Sequence, residues 1–413
     1  MRWYPWLAAG LLPAALALPL AARAADNKAP QVHWKKTVLD RRFRAEGVAV
    51  ADVNRDGRPD VLVGDVWYEA PDWKEHPIRP AKSDYREGDK NVYSNAFACW
   101  ADDINGDGWP DLIVVGFPGA PCHWYENPRG KEGMWKEHEI WHSACNETPQ
   151  YVDLFGTGKR VLVMGWQPKG KENEGQMAWF TPGKDPTRPW EMHPISAPSQ
   201  PGKPVPGTFK FSHGLGAGDL NGDGRLDVIC TGGWWEQPAK DDGKPWKFHP
   251  ADLGPDCADM FAYDMNGDGL ADVLSSSAHN YGIWWHEQKR GADGKGTTFV
   301  RHDIFPHLVS QTHALHFVDI NGDGLKDLVT GKRYWAHGNH GDADPNAAAV
   351  LYWFEASKSA DGSTHFTPHG IDDDSGIGTQ FAIADMNGDG LPDVVVANKK
   401  GVFVFEQSRT RGR

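Results

Sequence analysis

Six nine-residue segments carry oxygen side chains at a fixed spacing: DVNRDGRPD at 52–60, DINGDGWPD at 103–111, DLNGDGRLD at 219–227, DMNGDGLAD at 264–272, DINGDGLKD at 319–327 and DMNGDGLPD at 385–393. The pattern D-x-N-x-D-G-x-x-D presents side-chain oxygens at its first, third, fifth and ninth positions, with a backbone carbonyl available at the seventh. Gly at the sixth allows the positive φ that turns a chain around an ion. The chemistry this suits is capture of calcium, a hard cation that takes six to eight oxygens in flexible geometry, whereas magnesium demands a stricter octahedron. The expected ligands are Asp52, Asn54, Asp56 and Asp60; Asp103, Asn105, Asp107 and Asp111; Asp219, Asn221, Asp223 and Asp227; Asp264, Asn266, Asp268 and Asp272; Asp319, Asn321, Asp323 and Asp327; and Asp385, Asn387, Asp389 and Asp393. Without a cation, so many carboxylates in tight turns would repel one another. A seventh copy, DLFGTGKRV at 153–161, keeps Asp153 but puts Phe155, Thr157 and Val161 at the other ligand places, and is expected to hold no ion.

These loops must be positioned by strands. Each sits between two short apolar runs, which read as a hairpin. An aromatic strand follows (WYE at 67–69, WYE at 124–126, WFT at 179–181, WWE at 234–236, WWHE at 284–287, YWFE at 352–355, VFE at 404–406), and then a fourth (WKEHPI at 73–78 through FTPHGI at 366–371). Seven four-stranded antiparallel units at this period predict an all-β, seven-bladed propeller. The last unit stops after its third strand, and the chain begins with a spare fourth one, VHWKKTVLD at 32–40, so the N-terminal strand is expected to close the last blade. Closure hides edges that would otherwise aggregate.

The loops resemble the FG-GAP or VCBS-type repeat of calcium-binding β-propellers, from about Val32 to Phe405. That resemblance implies calcium as a structural cofactor at about six sites, with the calcium loop joining the first and second strands on one face. It says little about function, since such folds carry adhesion modules, lectins and polysaccharide lyases.

The opposite face then holds the segments running into the innermost strands and the loops between second and third strands. Five or six positions upstream of each loop stand Glu46, Glu147, His213, Asp259, His313 and Gln380, with Asn95 near the corresponding place in the second unit. A ring of carboxylates, imidazoles and amides is costly unless something pairs with it. One reading is a hydrated polar plug. The other is a site, to which Trp166, His279, Lys332, Arg333, Tyr334, Trp335 and His337 would contribute from the second-to-third strand loops. By contrast His76, His138, His193, His249, His302 and His369 recur at one place in the outermost strand, and that periodicity marks them as structural.

The mouth segments are also loosely similar to the propeller part of aldos-2-ulose dehydratase, which eliminates water from keto-sugars; the cupin domain of that family has no counterpart here. The leading expectation is an exported carbohydrate-active lyase or dehydratase working by β-elimination on a keto-sugar or uronate-type saccharide. It would use His213 or His313 as base, Lys332 and Arg333 to hold the enolate, and Tyr334 or His279 to protonate the leaving oxygen. Glu147 and Asp259 would orient an imidazole or help hold an additional divalent metal at the funnel. Glu46, Asn95, Trp166, Trp335, His337 and Gln380 would line the substrate. The alternative is a non-catalytic, calcium-stabilised propeller that binds a glycan or protein; metal-dependent hydrolysis is a third reading, without an H-E-x-x-H or G-x-S-x-G motif behind it.

Composition bounds the rest. Residues 1–24, with Arg2, an apolar run from Leu7 to Leu20 and Ala22-Arg23-Ala24, read as a secretory signal peptide, leaving 25–413 as one propeller that is secreted or periplasmic. No other run is long and apolar enough to span a membrane. Net charge is −13, which argues against nucleic acid. There are five cysteines and no C-x-x-C; the odd number leaves at least one thiol free, and Cys122 with Cys145 is the one candidate disulfide.

Overall fold

The computed structural model describes residues 31–81, 92–171, 174–291 and 296–410. The proposed signal peptide lies outside these residues. Seven four-stranded antiparallel sheets stand in a ring. In the first blade the strands Ala49–Ala51, Asp60–Leu62, Val66–Glu69 and Lys74–Pro77 run from the axis outward. In six of the seven blades the second strand is an unbroken buried run, such as Asp111–Val115 or Asp393–Asn398, because it is covered on both faces by neighbouring blades; in the third only Trp166 at its end is partly exposed.

The seventh blade takes its outer strand from the other end of the chain. Gln31–Asp40 pairs antiparallel with Gly401–Thr410, from Gln31 opposite Thr410 to Asp40 opposite Val402, with one register shift between Val38 and Asp40. The closing strand expected at 32–40 is therefore the observed one.

The innermost strands approach closely enough to exclude side chains at their contacts. A Cβ on Gly216 would lie 1.9 Å from the Met260 carbonyl oxygen, and one on Gly378 would lie 1.9 Å from that of Glu46. Polar side chains stitch the strands across the axis. Gln380 Oε1 accepts from the amides of Val48 (2.8 Å) and Cys99 (3.3 Å). Asp259 accepts from Gln150 Nε2 (2.8 Å) and from the Leu315 amide (3.0 Å).

Each of the six periodic outer-strand histidines stacks on a third-strand Trp, with ring centroids 3.7–4.6 Å apart. They are structural, as their recurrence implied. The expected disulfide is not formed: all five cysteines are free and buried. The Cys122 thiol points to the Trp141 carbonyl in its own blade, 3.6 Å away, while Cys145 Sγ lies against Gly165 of the next blade.

Where the closing strand turns into the first blade, Asp40 gathers Arg42 Nε (2.9 Å), Arg44 Nε (2.9 Å) and the Tyr68 hydroxyl (2.6 Å). Burial alone would raise the Asp40 carboxyl, but these donors outweigh it and hold it at about 2. Since the unfolded value is about 3.9, the ionised form favours the folded state above pH 4, and that contribution is lost as pH falls through 2. Asp40→Asn is expected to cost on the order of 2 kcal/mol at pH 7 and little at pH 2, read by urea denaturation. An equal loss at both pH values would assign the effect to packing instead.

Candidate functional site

Two sets of chemistry occupy opposite faces of the ring. On the first, the acidic loops fold on their own amides. In the first loop Asp52 accepts from the amides of Asp56 and Gly57 (both 2.9 Å), and Asn54 Oδ1 accepts from Asp56 (3.0 Å). Gly57 takes φ +90°, the positive value expected of the sixth position. The ninth Asp has a second duty. Asp60 is wholly buried, and its two oxygens accept from Val53 (2.9 Å) in the turn and from Ala70 (2.8 Å) at the end of the third strand. Burial, aided by the nearby fifth-position carboxylate, outweighs those donors and pushes Asp60 and Asp111 up to about 7 and Asp227, Asp272, Asp327 and Asp393 up to about 6. An all-oxygen donor set with excess buried negative charge fits a hard cation. In the degenerate loop Phe155 instead packs edge-on against Trp179, with centroids 4.9 Å apart.

On the other face, four elements bring a cluster of imidazoles together. His213 and His313 come from the segments running into the innermost strands of blades four and six, His279 from the second-to-third strand turn of blade five, and His337 from the long loop of blade six. His213 Nε2 lies 3.0 Å from His279 Nε2. His279 Nδ1 and His337 Nδ1 both meet Asp342, each at 3.0 Å from Oδ1. His313 is fully buried; its Nε2 is 3.2 Å from Glu147 Oε2 but off the direction of a hydrogen bond, and its Nδ1 has no partner.

Charge beneath this cluster is already balanced. Arg333, 1% exposed, bonds Glu46 Oε1 (2.9 Å) and Glu147 Oε2 (3.1 Å). Burial would raise the Glu147 carboxyl, but His213, His313 and Arg333 around it prevail and keep it ionised, well below the usual range. Burial pushes His213 down, and burial together with the Arg333 charge pushes His313 well down. Burial also lowers Lys332 to about 8.

Donor chemistry therefore differs between the faces. Among the described residues two groups have their ligand atoms all within 4.8 Å of one another: His213 with His279 and His313, and His279 with His337 and Asp342. The acids of the loops are not gathered so tightly. Three imidazoles suit a borderline cation such as zinc, whose ligand nitrogens stand about 3.3 Å apart for bonds of about 2.0 Å. The orphaned His313 ring fits that role.

Above the cluster opens a cavity of about 350 Å³, lined by Tyr93, Phe97, Phe117, Phe211, His213, His279 and His337, with Glu147 and Asp256. Phe117 touches Tyr93, Phe97 and Phe211 with centroids 5.4–5.8 Å apart. Phe211, Gln311 and Trp335 adopt left-handed φ of 65°, 58° and 56°, unusual for residues of that bulk and concentrated at the mouth.

The remaining expected residues fall elsewhere. Lys332 Nζ bonds Ser310 Oγ (2.7 Å), so neither it nor Arg333 is a free cation. Tyr334 lies under Lys400, 4.4 Å from Nζ. The Trp335 carbonyl accepts from Lys399 Nζ (2.9 Å). Trp166 packs edge-on against Trp141 and His142 between blades. The Asn95 carbonyl accepts from Arg79 (2.8 Å). Asp259 and Gln380 serve the axial stitching. The aromatic wall of Tyr93, Phe117 and Phe211 escaped sequence reasoning; the exposed Phe209-Lys210-Phe211 run between two repeats was its only signal.

Comparison with known proteins adds to the fold. Residues 264–330 match the family model of the FG-GAP-like repeat. No curated protein matches. Among solved structures the chain is similar to BBS1N from its complex with ARL6DN (11% identity, 92% of this chain and 97% of that one, TM-score 0.48). It is also similar to the V. cholerae biofilm matrix protein Bap1 (10% identity, 92% and 91%, TM-score 0.36). A third similarity is to the Photorhabdus luminescens Tc holotoxin pore (16% identity, 92% and 14%, TM-score 0.34). By its seven sheets the chain is a seven-bladed β-propeller of four-stranded antiparallel blades, and the FG-GAP-like repeat match falls across its fifth and sixth blades.

Proposed function

We propose that this is an exported, calcium-stabilised propeller whose mouth is the active site of a carbohydrate-directed lyase. The observation that carries this is the convergence of His213, His279 and His313, the last buried without a hydrogen-bond partner, beside an aromatic-walled cavity that His213 and His279 line. Export rests on the character of residues 1–24.

β-Elimination needs a base for the proton next to a carbonyl, and a route for that proton to the departing oxygen. Asp342 supplies the first condition by accepting Nδ1–H from His337, which leaves its Nε2 lone pair for the cavity. His337 takes the proton, the C–H electrons form the new double bond as the C–O bond breaks, and the imidazolium returns its proton to the leaving oxygen. The same carboxylate fixes His279, turning its Nε2 to the cluster. A divalent metal would be held there by His213, His279 and His313, and when bound would polarise the carbonyl oxygen. Glu147, kept ionised, faces the cluster from below. One sugar ring fills much of such a cavity, and its apolar face stacks on Tyr93, Phe117 or Phe211.

Keto-sugars and uronate oligosaccharides, offered to the zinc- or manganese-supplemented protein, should raise ultraviolet absorbance near the enone and unsaturated-uronate bands. His337→Ala should lower that rate by about 10²–10⁴-fold, and the His213→Ala/His313→Ala double variant should abolish it with the fold intact. Tight binding of an unmodified glycan without product would assign the mouth to recognition instead.

Calcium at the six complete loops is tested separately. Chelation should lower the midpoint of thermal unfolding, and added calcium should restore it more fully than magnesium. At a free concentration 100-fold above Kd each loop would contribute about 2.7 kcal/mol. Thermal unfolding indifferent to calcium would remove the ion from the account.

A further inference from the structure

In three blades a glutamate two residues beyond the stacking Trp of the third strand faces back to the acidic loop. In the first blade it is Glu69. Its Oε1 accepts from Asn54 Nδ2 (3.0 Å), while its Oε2 meets His76 Nε2 (2.7 Å). The fifth and sixth blades repeat this: Asn266 to Glu287 (3.0 Å) with His302 on the other oxygen (2.9 Å), and Asn321 to Glu355 (3.2 Å) with His369 (2.9 Å). The other face of each asparagine is equally fixed, since Oδ1 of Asn54, Asn266 and Asn321 accepts the amide of the loop's fifth residue at 3.0 Å.

A bland reading is that the glutamate exists to anchor the stacked histidine. The seven blades separate the two roles. The third blade keeps the histidine, His193 stacked on Trp179 at 3.7 Å, but has Thr181 in place of the glutamate, and His193 Nε2 is left without a partner. That is the blade whose loop has Phe155 instead of asparagine. The seventh blade shows the converse. It keeps Asn387 in its loop and Glu406 at the matching place in its third strand, but Thr37 stands opposite Val404 where the histidine would be, and Lys35 pairs with Glu406 instead (2.5 Å). Glu126 and Glu236 occupy the same place in the two remaining blades, both with asparagine loops, but there they meet His138 (2.9 Å) and His249 (2.7 Å), while Asn105 and Asn221 donate to Asp107 (3.3 Å) and Asp223 (3.0 Å) of their own loops. The glutamate is present in all six blades with a loop asparagine and absent from the one without it, whereas the histidine stands in one blade that lacks the glutamate and is missing from one that has it.

We infer that Glu69, Glu287 and Glu355 are positioning residues for the loop cation. Each accepts from the third-position NH₂, shared in the fifth and sixth blades with Asp268 (3.2 Å) and Asp323 (3.0 Å), so that the carbonyl oxygen is presented to the loop. Outer groups of this kind typically change metal affinity by about 10–100-fold when removed. The inference rests on the calcium reading of the loops.

The test is a calorimetric calcium titration of the full chain after chelation. The Glu69→Gln/Glu287→Gln/Glu355→Gln variant should show three of the six sites weakened by on the order of 10-fold, with the rest unchanged. The variant lacking the histidines instead, His76→Gln/His302→Gln/His369→Gln, should titrate as the parent does. Reversing one pair, Asn321→Asp with Glu355→Gln, should restore the sixth-blade site that Glu355→Gln alone weakens, because the hydrogen bond then runs the other way. Far-ultraviolet circular dichroism of the calcium-free proteins checks that each has folded; if the triple variant has not, Glu355→Gln and the reversed pair are compared alone. Unchanged affinity in the folded glutamate variants, or an equal loss in the histidine variant, overturns the inference. A parent protein that binds no calcium overturns the calcium reading itself.

Discussion

Everything at the mouth depends on the ring being closed, and closure depends on a pairing between the two ends of the described chain. Gln31–Asp40 lies along Gly401–Thr410 with Lys35–Glu406 and Lys36–Asp372 ion pairs flanking it. Without that strand the last blade would expose a ten-residue edge of unpaired amides and carbonyls. The innermost strands would also be free to spread, because their contacts rely on glycines at which no side chain fits. The distances between His213, His279 and His313, which lie on three blades, are set by that closure rather than by anything local to each histidine.

The two faces use buried charge differently. On the loop face the ninth Asp is ionisable, wholly buried and shared between a turn and the end of a strand, so the same residue that shapes the blade also loads the loop with negative charge. At the mouth the buried charges cancel internally: one guanidinium spans Glu46 and Glu147 across three blades. A buried ion pair is retained at a cost in desolvation, and its clearest use is to fix an arrangement. Here the arrangement it fixes is Glu147, and through Glu147 the environment of His213 and His313.

Repetition made the fold and the acidic loops legible in the sequence, because a spacing that recurs seven times can be checked against itself. It also separated two sets of histidines: the six that repeat stack on tryptophan, while His213, His279, His313 and His337, which do not repeat, gather at the mouth. What repetition could not reveal is pairing across the axis. The partners of Arg333 lie 287 and 186 residues away, and nothing in the run Lys332-Arg333 tells a free cation from a neutralised one. The aromatic wall was hidden for the opposite reason, since a chain with 17 Phe and 20 Trp offers too many rings for any few to stand out. The Cys122–Cys145 expectation failed because it rested on proximity in sequence, while the strand between them carries the two thiols into different blades.

The asymmetry of the mouth follows from electrostatics. Seven equivalent backbones converge on one axis, so a repeat copied faithfully would place seven like side chains around it. Seven glutamates at the Glu46 place would repel one another at low dielectric, and seven lysines would do the same. The ring avoids this by mixing types: carboxylates at Glu46 and Glu147, imidazoles at His213 and His313, an amide at Gln380, and a guanidinium reaching in from a neighbouring loop at Arg333. Once the copies must differ there, each is free to acquire its own chemistry, whereas the outer strands and acidic loops, which never meet their equivalents, can remain alike. Departure from the repeat at the axis is thus a physical requirement, and the imidazole cluster occupies positions that such a ring could not have kept uniform.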